Sequence, residues 1–180
     1  MSISPLQKRN GRVRIPFMSA MARLQAVDGE EGSYLDLLDN LVYEGANPKA
    51  DREELFRRVA FSILISNVDD HLRNHGFLYA GNGWRLSPLY DVNPVPTDLK
   101  PRILSTRIDF DSATCSIPLL LETCESYGLS RSSAAALVKK IGDVTAHWRQ
   151  VAEQLGAPRH EIERMSSAFE HEDSDRAAKL

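Results

Sequence analysis

Apolar residues recur along this chain at helical spacing, with one short exception near its middle. Pro16 can open a first helix, and Met18, Met21, Ala22 and Leu24 give it an apolar face. Ser33 caps a second, which buries Leu35, Leu38 and Leu41-Val42, and Gly45 and Pro48 close it off. A third begins at Asp51, with Glu54 three residues on in a capping-box arrangement. Its stripe is Leu55, Phe56, Val59, Ala60, Ile63 and Leu64. The exception follows: His75 to Tyr79 and Gly83 to Leu86 read as a β-hairpin turned at Gly81-Asn82-Gly83. From Pro94 to Asp111 the chain is Pro-rich and irregular, with an extended piece near Ile103. Pro118 starts a helix through Glu125 that ends near Gly128. The longest helix is capped at Ser130 and striped by Leu137, Val138, Ile141, Val144, Trp148, Val151, Ala152 and Leu155. Gly156 stops it, and Pro158 starts the last helix, with Ile162, Met165 and Phe169 inward. The expected fold is mainly α with one small hairpin, and no internal repeat is present.

Length and charge narrow the class. A chain of 180 residues suits a single domain with a real core. Net charge is −3, with Lys and Arg spread evenly, so no basic stripe argues for direct nucleic-acid binding. Cys115 and Cys124 form no CxxC pair, which suits a reducing cytoplasm. No apolar run reaches the ~18 residues of a membrane span, and no signal peptide is present. Residues 1–14, with the basic run Gln7 to Arg12, read as an exposed arm. The charged tail, 170–180, reads as disordered. Residues 15–169 are then the folded domain.

The chemistry is concentrated after the third helix, in Asn67-Val68-Asp69-Asp70-His71-Leu72-Arg73-Asn74, answered later by Leu89-Tyr90-Asp91. Asp69 and Asn74 have the Asp-x-x-x-x-Asn spacing of a kinase catalytic loop, where the Asp accepts the proton of the attacking hydroxyl. Phosphoryl transfer asks for placement and charge neutralisation, and magnesium prefers oxygen ligands. Carboxylate and amide oxygens supply them. The bland reading is a turn, since Asp, Asn and His bond nearby backbone. Three features argue against it: a buried-looking helix before the motif, a hairpin after it, and a partner Asp beyond the hairpin.

These residues resemble the HipA-like serine/threonine kinases of bacterial toxin–antitoxin systems. Their signature is a Thr/Val-Asp-x-His-x-x-Asn loop, a strand pair, then Arg-Leu-x-Pro-x-Tyr-Asp. This chain reads Val68-Asp69-Asp70-His71-Leu72-Arg73-Asn74, then Arg85-Leu86-Ser87-Pro88-Leu89-Tyr90-Asp91. Ser33-Tyr34-Leu35-Asp36 and Pro94-Val95-Pro96 also fit. The resemblance implies a helical kinase-like large lobe, the C-terminal lobe of such a kinase, from Ile15 to Phe169. It implies Asp69 as catalytic base, His71 as loop support, and Asn74 and Asp91 as magnesium ligands for Mg-ATP. It further implies a helix-turn-helix antitoxin as partner, DNA contact only through that partner, and an aminoacyl-tRNA synthetase as protein substrate.

The family's small lobe carries a glycine-rich phosphate loop and a nucleotide-binding Lys, and neither motif occurs in this sequence. Gly29-Glu30-Glu31-Gly32-Ser33 is acidic and would repel phosphate. The chain is therefore expected to need a separate N-terminal lobe. Two other classes compete: a non-catalytic remnant that binds an antitoxin or small lobe, and a metal-dependent phosphoester hydrolase using Asp69, Asp70, His71 and Asp91. A zinc pair at His71 and His75 lacks the Glu of His-Glu-x-x-His. His147 and His160 read as surface residues and Trp148 as core. Arg73 and Arg85 could meet phosphate, but a structural ion pair is expected for at least one. Ser62, Ser66 and Ser87 lack hydrolase flanks.

Overall fold

The computed structural model describes residues 14–27 and 32–180, together with the backbone of 8–9 and 12–13. Most of the expected arm, and Gly29 to Glu31, lie outside the described residues. Two short N-terminal strands, β1 (Lys8–Arg9) and β2 (Arg12–Val13), pair antiparallel. Then follow β3 (Phe17–Ser19), α1 (Ala20–Arg23), α2 (Tyr34–Glu44) and α3 (Pro48–Leu64). A 3-10 turn (Leu72–Asn74) leads into β4 (Gly76–Tyr79) and β5 (Trp84–Leu86). The second half is helical: α4 (Ile117–Glu122), α5 (Arg131–Thr145), α6 (Trp148–Gln154), α7 (Arg159–Phe169) and α8 (Glu172–Ala178). The expected mainly helical lobe with a small β element is what forms.

Helix α3 is the axis of the core. Leu55, Phe56, Val59, Ala60, Ile63 and Leu64 are all buried, and α2, α4, α5, α8 and β5 pack around them. Phe56 meets the buried Tyr127 edge-on, ring centroids 5.3 Å apart. Because α3 is held on every side, its C-terminal end is a rigid mount for whatever follows. The helix starts earlier than its capping-box pattern suggests. Asn47 accepts from the Ala50 N–H, and Pro48 takes the first turn, where its missing N–H costs nothing. Asp51 is thereby freed from capping and its buried carboxylate pairs with Arg85 at 2.7 Å.

Three other expectations need correction. The segment after Pro16 begins as a strand, because β3 lies antiparallel along β4, with Met18 opposite Phe77 and Ser19 opposite Gly76. The hairpin is thus two strands of a three-stranded sheet, β3-β4-β5. Gly76 permits the close approach: a Cβ there would lie 2.4 Å from the Phe17 ring. The long helix breaks at Ala146-His147, where the His147 ring engages the Asp143 carbonyl at 2.8 Å. The chain then folds back, so Trp148 is half-buried rather than core and stacks on Phe169 with centroids 4.5 Å apart. Finally, the tail is not disordered. His171 and Ser174 form a capping box for α8, and acidic Glu172, Asp173 and Asp175 suit its N-terminal dipole. Ala177 is fully buried against Gly142. Charge density hid this helix, because Asp173, which looks solvent-directed in the sequence, is one of its two buried residues.

Candidate active site

The loop that leaves α3 is turned sharply by Ser66, whose φ of 53° is left-handed. Ser66 is fully buried and pinned on both sides: its hydroxyl donates to the Ala168 carbonyl and accepts from Arg102 Nε, at 2.9 and 3.0 Å. Asn67 follows, also buried. Its Nδ2 donates to Ser62 Oγ at 3.2 Å, and its Oδ1 accepts the backbone N–H of Asn93 at 3.1 Å. That second bond ties the loop to the chain just after Asp91.

Asp69 and Asp70 then take opposite roles. Asp70 is buried. One oxygen accepts from Tyr34 Oη and from Ser62 Oγ, and the other lies 2.9 Å from His75 Nε2. Burial pushes the Asp70 carboxyl up, but His75, Tyr34 and Ser62 together hold it below the usual carboxylate range. Thr106 Oγ1 donates to the Asp70 carbonyl at 2.7 Å. Asp70 is a structural anchor.

Asp69 is exposed. Its Oδ1 lies 3.0 Å from Lys100 Nζ and 3.2 Å from His71 Nε2. The hydrogen bond from Lys100 is the chief cause holding its carboxyl below the ordinary value. Asn74, nearly buried, closes the loop by donating from Nδ2 to the Asp69 carbonyl at 3.0 Å. With Nδ2 committed, its Oδ1 is the atom left to accept. Asp91 sits in the left-handed region, φ 54°, which Asp tolerates at roughly 1 kcal/mol. Its Oδ1 accepts from Asn93 Nδ2, and its neighbour Tyr90 donates to the Arg73 carbonyl at 2.6 Å. Asp69 and Asn74 are therefore joined directly, and the Asp91 segment is tied to the same loop at Arg73 and Asn67.

His71 faces Asp69 while His75 is buried against Asp70, which splits the pair a zinc site would use. The burial of Asp70 likewise removes one carboxylate from the hydrolase reading. Arg85 serves the ion pair with Asp51. Lys100 and Thr106 escaped the motif analysis, and Asn67, inside the run, was given no role. Lys100 gave one faint signal, a lone cation held between Pro96 and Pro101.

An apolar cavity of about 620 Å³ lies elsewhere, among Phe61, Trp148, Leu155, Met165 and Phe169, and reaches Val92 just past Asp91. Its walls are mostly apolar and carry no Lys or Arg to meet a phosphate, so the polar loop, not this cavity, is the candidate for chemistry. No helix among the described residues is long and apolar enough to cross a membrane.

Known proteins resemble this chain in sequence and in fold. A Haemophilus influenzae protein named "Putative kinase" is 30% identical over 112 residues, covering 62% of this chain and 30% of that protein. A chain of the Shewanella oneidensis MR-1 toxin–antitoxin complex of HipA, HipB and operator DNA superposes with a TM-score of 0.69. It is 19% identical, and the match covers 97% of this chain and 49% of that one, so it speaks to fold. This chain thus spans about half the length of that structure. The model of the HipA-like C-terminal domain matches residues 7–171, and the chain belongs to that family.

Proposed function

We propose that this chain is the catalytic lobe of a HipA-like protein serine/threonine kinase, transferring the γ-phosphoryl group of Mg-ATP. The observation that carries the reading is an exposed carboxylate at the end of a buried, tightly laced stretch of chain. Asp69 is the only member of the run from Ser62 to Asp70 that faces solvent. A turn with no task has no need of such support; a catalytic group does.

The donor set suits magnesium, a hard cation that takes amide and carboxylate oxygens. Asn74 Oδ1 and the Asp91 carboxylate are the atoms that would hold it. When bound, the ion would neutralise charge on the β- and γ-phosphates. Asp69 would accept the proton of the attacking serine or threonine hydroxyl, and His71 would steady its carboxylate. Nothing in the sequence cradles the phosphates as a glycine-rich loop does, so we assign that task to a small lobe supplied from outside these residues. A HipB-like helix-turn-helix antitoxin as partner is suggested by the complex in which the Shewanella fold occurs. DNA contact would pass through that partner, the compartment would be cytoplasmic, and an aminoacyl-tRNA synthetase is the substrate the family resemblance suggests.

The competing reading is a non-catalytic module, favoured by exposed Val144, Val151 and Leu155 beside the apolar cavity. Nucleotide titration separates the two. Asn74→Ala and Asp91→Ala should each weaken magnesium-dependent ATP binding by about tenfold or more while leaving the fold intact. A wild-type chain that ignores Mg-ATP at millimolar concentration even with the small lobe added would favour the module.

A further inference from the structure

We infer that Lys100 is a catalytic residue of this site, contacting the phosphoryl group in transfer while it bridges to Asp69. The inference rests on the kinase reading above.

Lys100 is not a loosely placed surface lysine. The segment that carries it is stitched to the catalytic loop on both sides. Before it, the Val95 N–H donates to the Ser66 carbonyl at 3.1 Å. After it, Ser105 donates to the Val68 carbonyl through both N–H and Oγ, at 3.1 and 2.9 Å, and Thr106 donates to the Asp70 carbonyl. Arg102 reaches Ser66 and the Ile63 carbonyl. A turn over Pro96 to Lys100 fixes the residue itself, since Leu99 and Lys100 N–H both donate to the Pro96 carbonyl. The backbone that carries the ammonium to one oxygen of Asp69 is thus held by the loop that carries Asp69.

The contacts divide the carboxylate. Lys100 and His71 both approach Oδ1, which leaves Oδ2 to accept a substrate proton. An ammonium has three donors, and Asp69 engages one. The other two are available to a dianionic phosphoryl group presented beside Asp69. The step would run as follows. The serine or threonine hydroxyl loses its proton to Asp69. Its oxygen forms a bond to the γ-phosphorus. The bond from that phosphorus to the β,γ-bridging oxygen breaks, and the electron pair leaves with ADP. Lys100 keeps its protons throughout and neutralises charge on the phosphoryl oxygens. A bare surface ion pair between groups this exposed, each about half accessible, is worth little by itself.

The test exploits the fact that ADP lacks the group Lys100 would touch. Binding of Mg-ATP and Mg-ADP to the chain mixed with a small lobe that supplies the phosphate loop is measured by NMR shift titration, for wild type, Lys100→Met and Lys100→Arg. Lys100→Met should weaken ATP about tenfold and ADP less than twofold, and Lys100→Arg should retain most of the ATP preference. A role confined to loop structure would move both nucleotides together, and that result overturns the inference. Equal binding by wild type and Lys100→Met overturns it as well, while leaving the kinase reading intact. A wild type that binds neither nucleotide overturns both.

Discussion

At the scale of single residues, two adjacent aspartates have been given different work by burial alone. Asp69→Asn should abolish phosphoryl transfer, by about a hundredfold or more, with an unchanged melting temperature, because an exposed loop carboxylate packs nothing. Asp70→Ala should do the reverse first: it strips a buried cluster of its charge and should cost about 3 kcal/mol of stability in denaturant unfolding. Because the folded Asp70 carboxyl is held below its ordinary value, it stabilises the fold above pH ~4, and that contribution is lost as pH falls through the lower folded value. An acid titration of wild type against Asp70→Asn should show the variant losing less stability below pH ~4. Asp69 and Asn74 stood out in the sequence because their spacing matches that of a kinase loop, and the structure joins them through the Asn74 amide and the Asp69 carbonyl. Lys100 was illegible for the opposite reason. Its place depends on backbone bonds that join residues far apart in the chain, and no local spacing records them.

At the scale of elements, the apolar stripe of α3 was readable because the whole of it faces one core, while those of α2 and α5 were readable only in part: Val42 and Val144 face solvent, and Leu37 is buried in the α2 stripe instead. The misses cluster where a partner element decides the outcome. The Phe17–Ser19 segment has the apolar residues of a short helix, yet the open edge of β4 claims it as a strand. Helix α8 is held by a buried pair, with Asp173 accepting from Arg102 Nη1 at 2.9 Å and from the Ile117 N–H at 2.8 Å. Asp173→Ala should therefore release α8 and cost about 3 kcal/mol, read as a lower denaturant midpoint and faster amide exchange at the Ser66 turn that shares Arg102. His171, which caps α8, is a second handle. Burial, aided by the Arg102 charge and opposed by Asp173, lowers its tendency to hold a proton. The unfolded chain therefore binds that proton more readily than the folded one below pH ~6.5, so stability falls as pH drops through that region. His171→Asn keeps a capping side chain and should flatten the pH dependence of stability between ~6.5 and ~5.

At the scale of the whole molecule, the helical core, the Ser66 turn and the 95–106 segment form one frame around the exposed carboxylate of Asp69. Arg102 runs through that frame, linking Asp173 on α8 to Ser66 and to the Ile63 carbonyl at the end of α3. The C-terminal helix is thereby part of the support for the loop, which is why a boundary drawn at Phe169 falls short of the folded unit. The central claim is that this frame presents Asp69 as the base of a phosphoryl transfer. It is tested by transfer of label from γ-labelled ATP to protein, with the chain mixed with a small lobe that supplies the phosphate loop. The account predicts transfer in the mixture, little by the chain alone, and at least a hundredfold loss in the mixture with Asp69→Asn. Undiminished transfer by Asp69→Asn, in a protein shown to be folded, would contradict it.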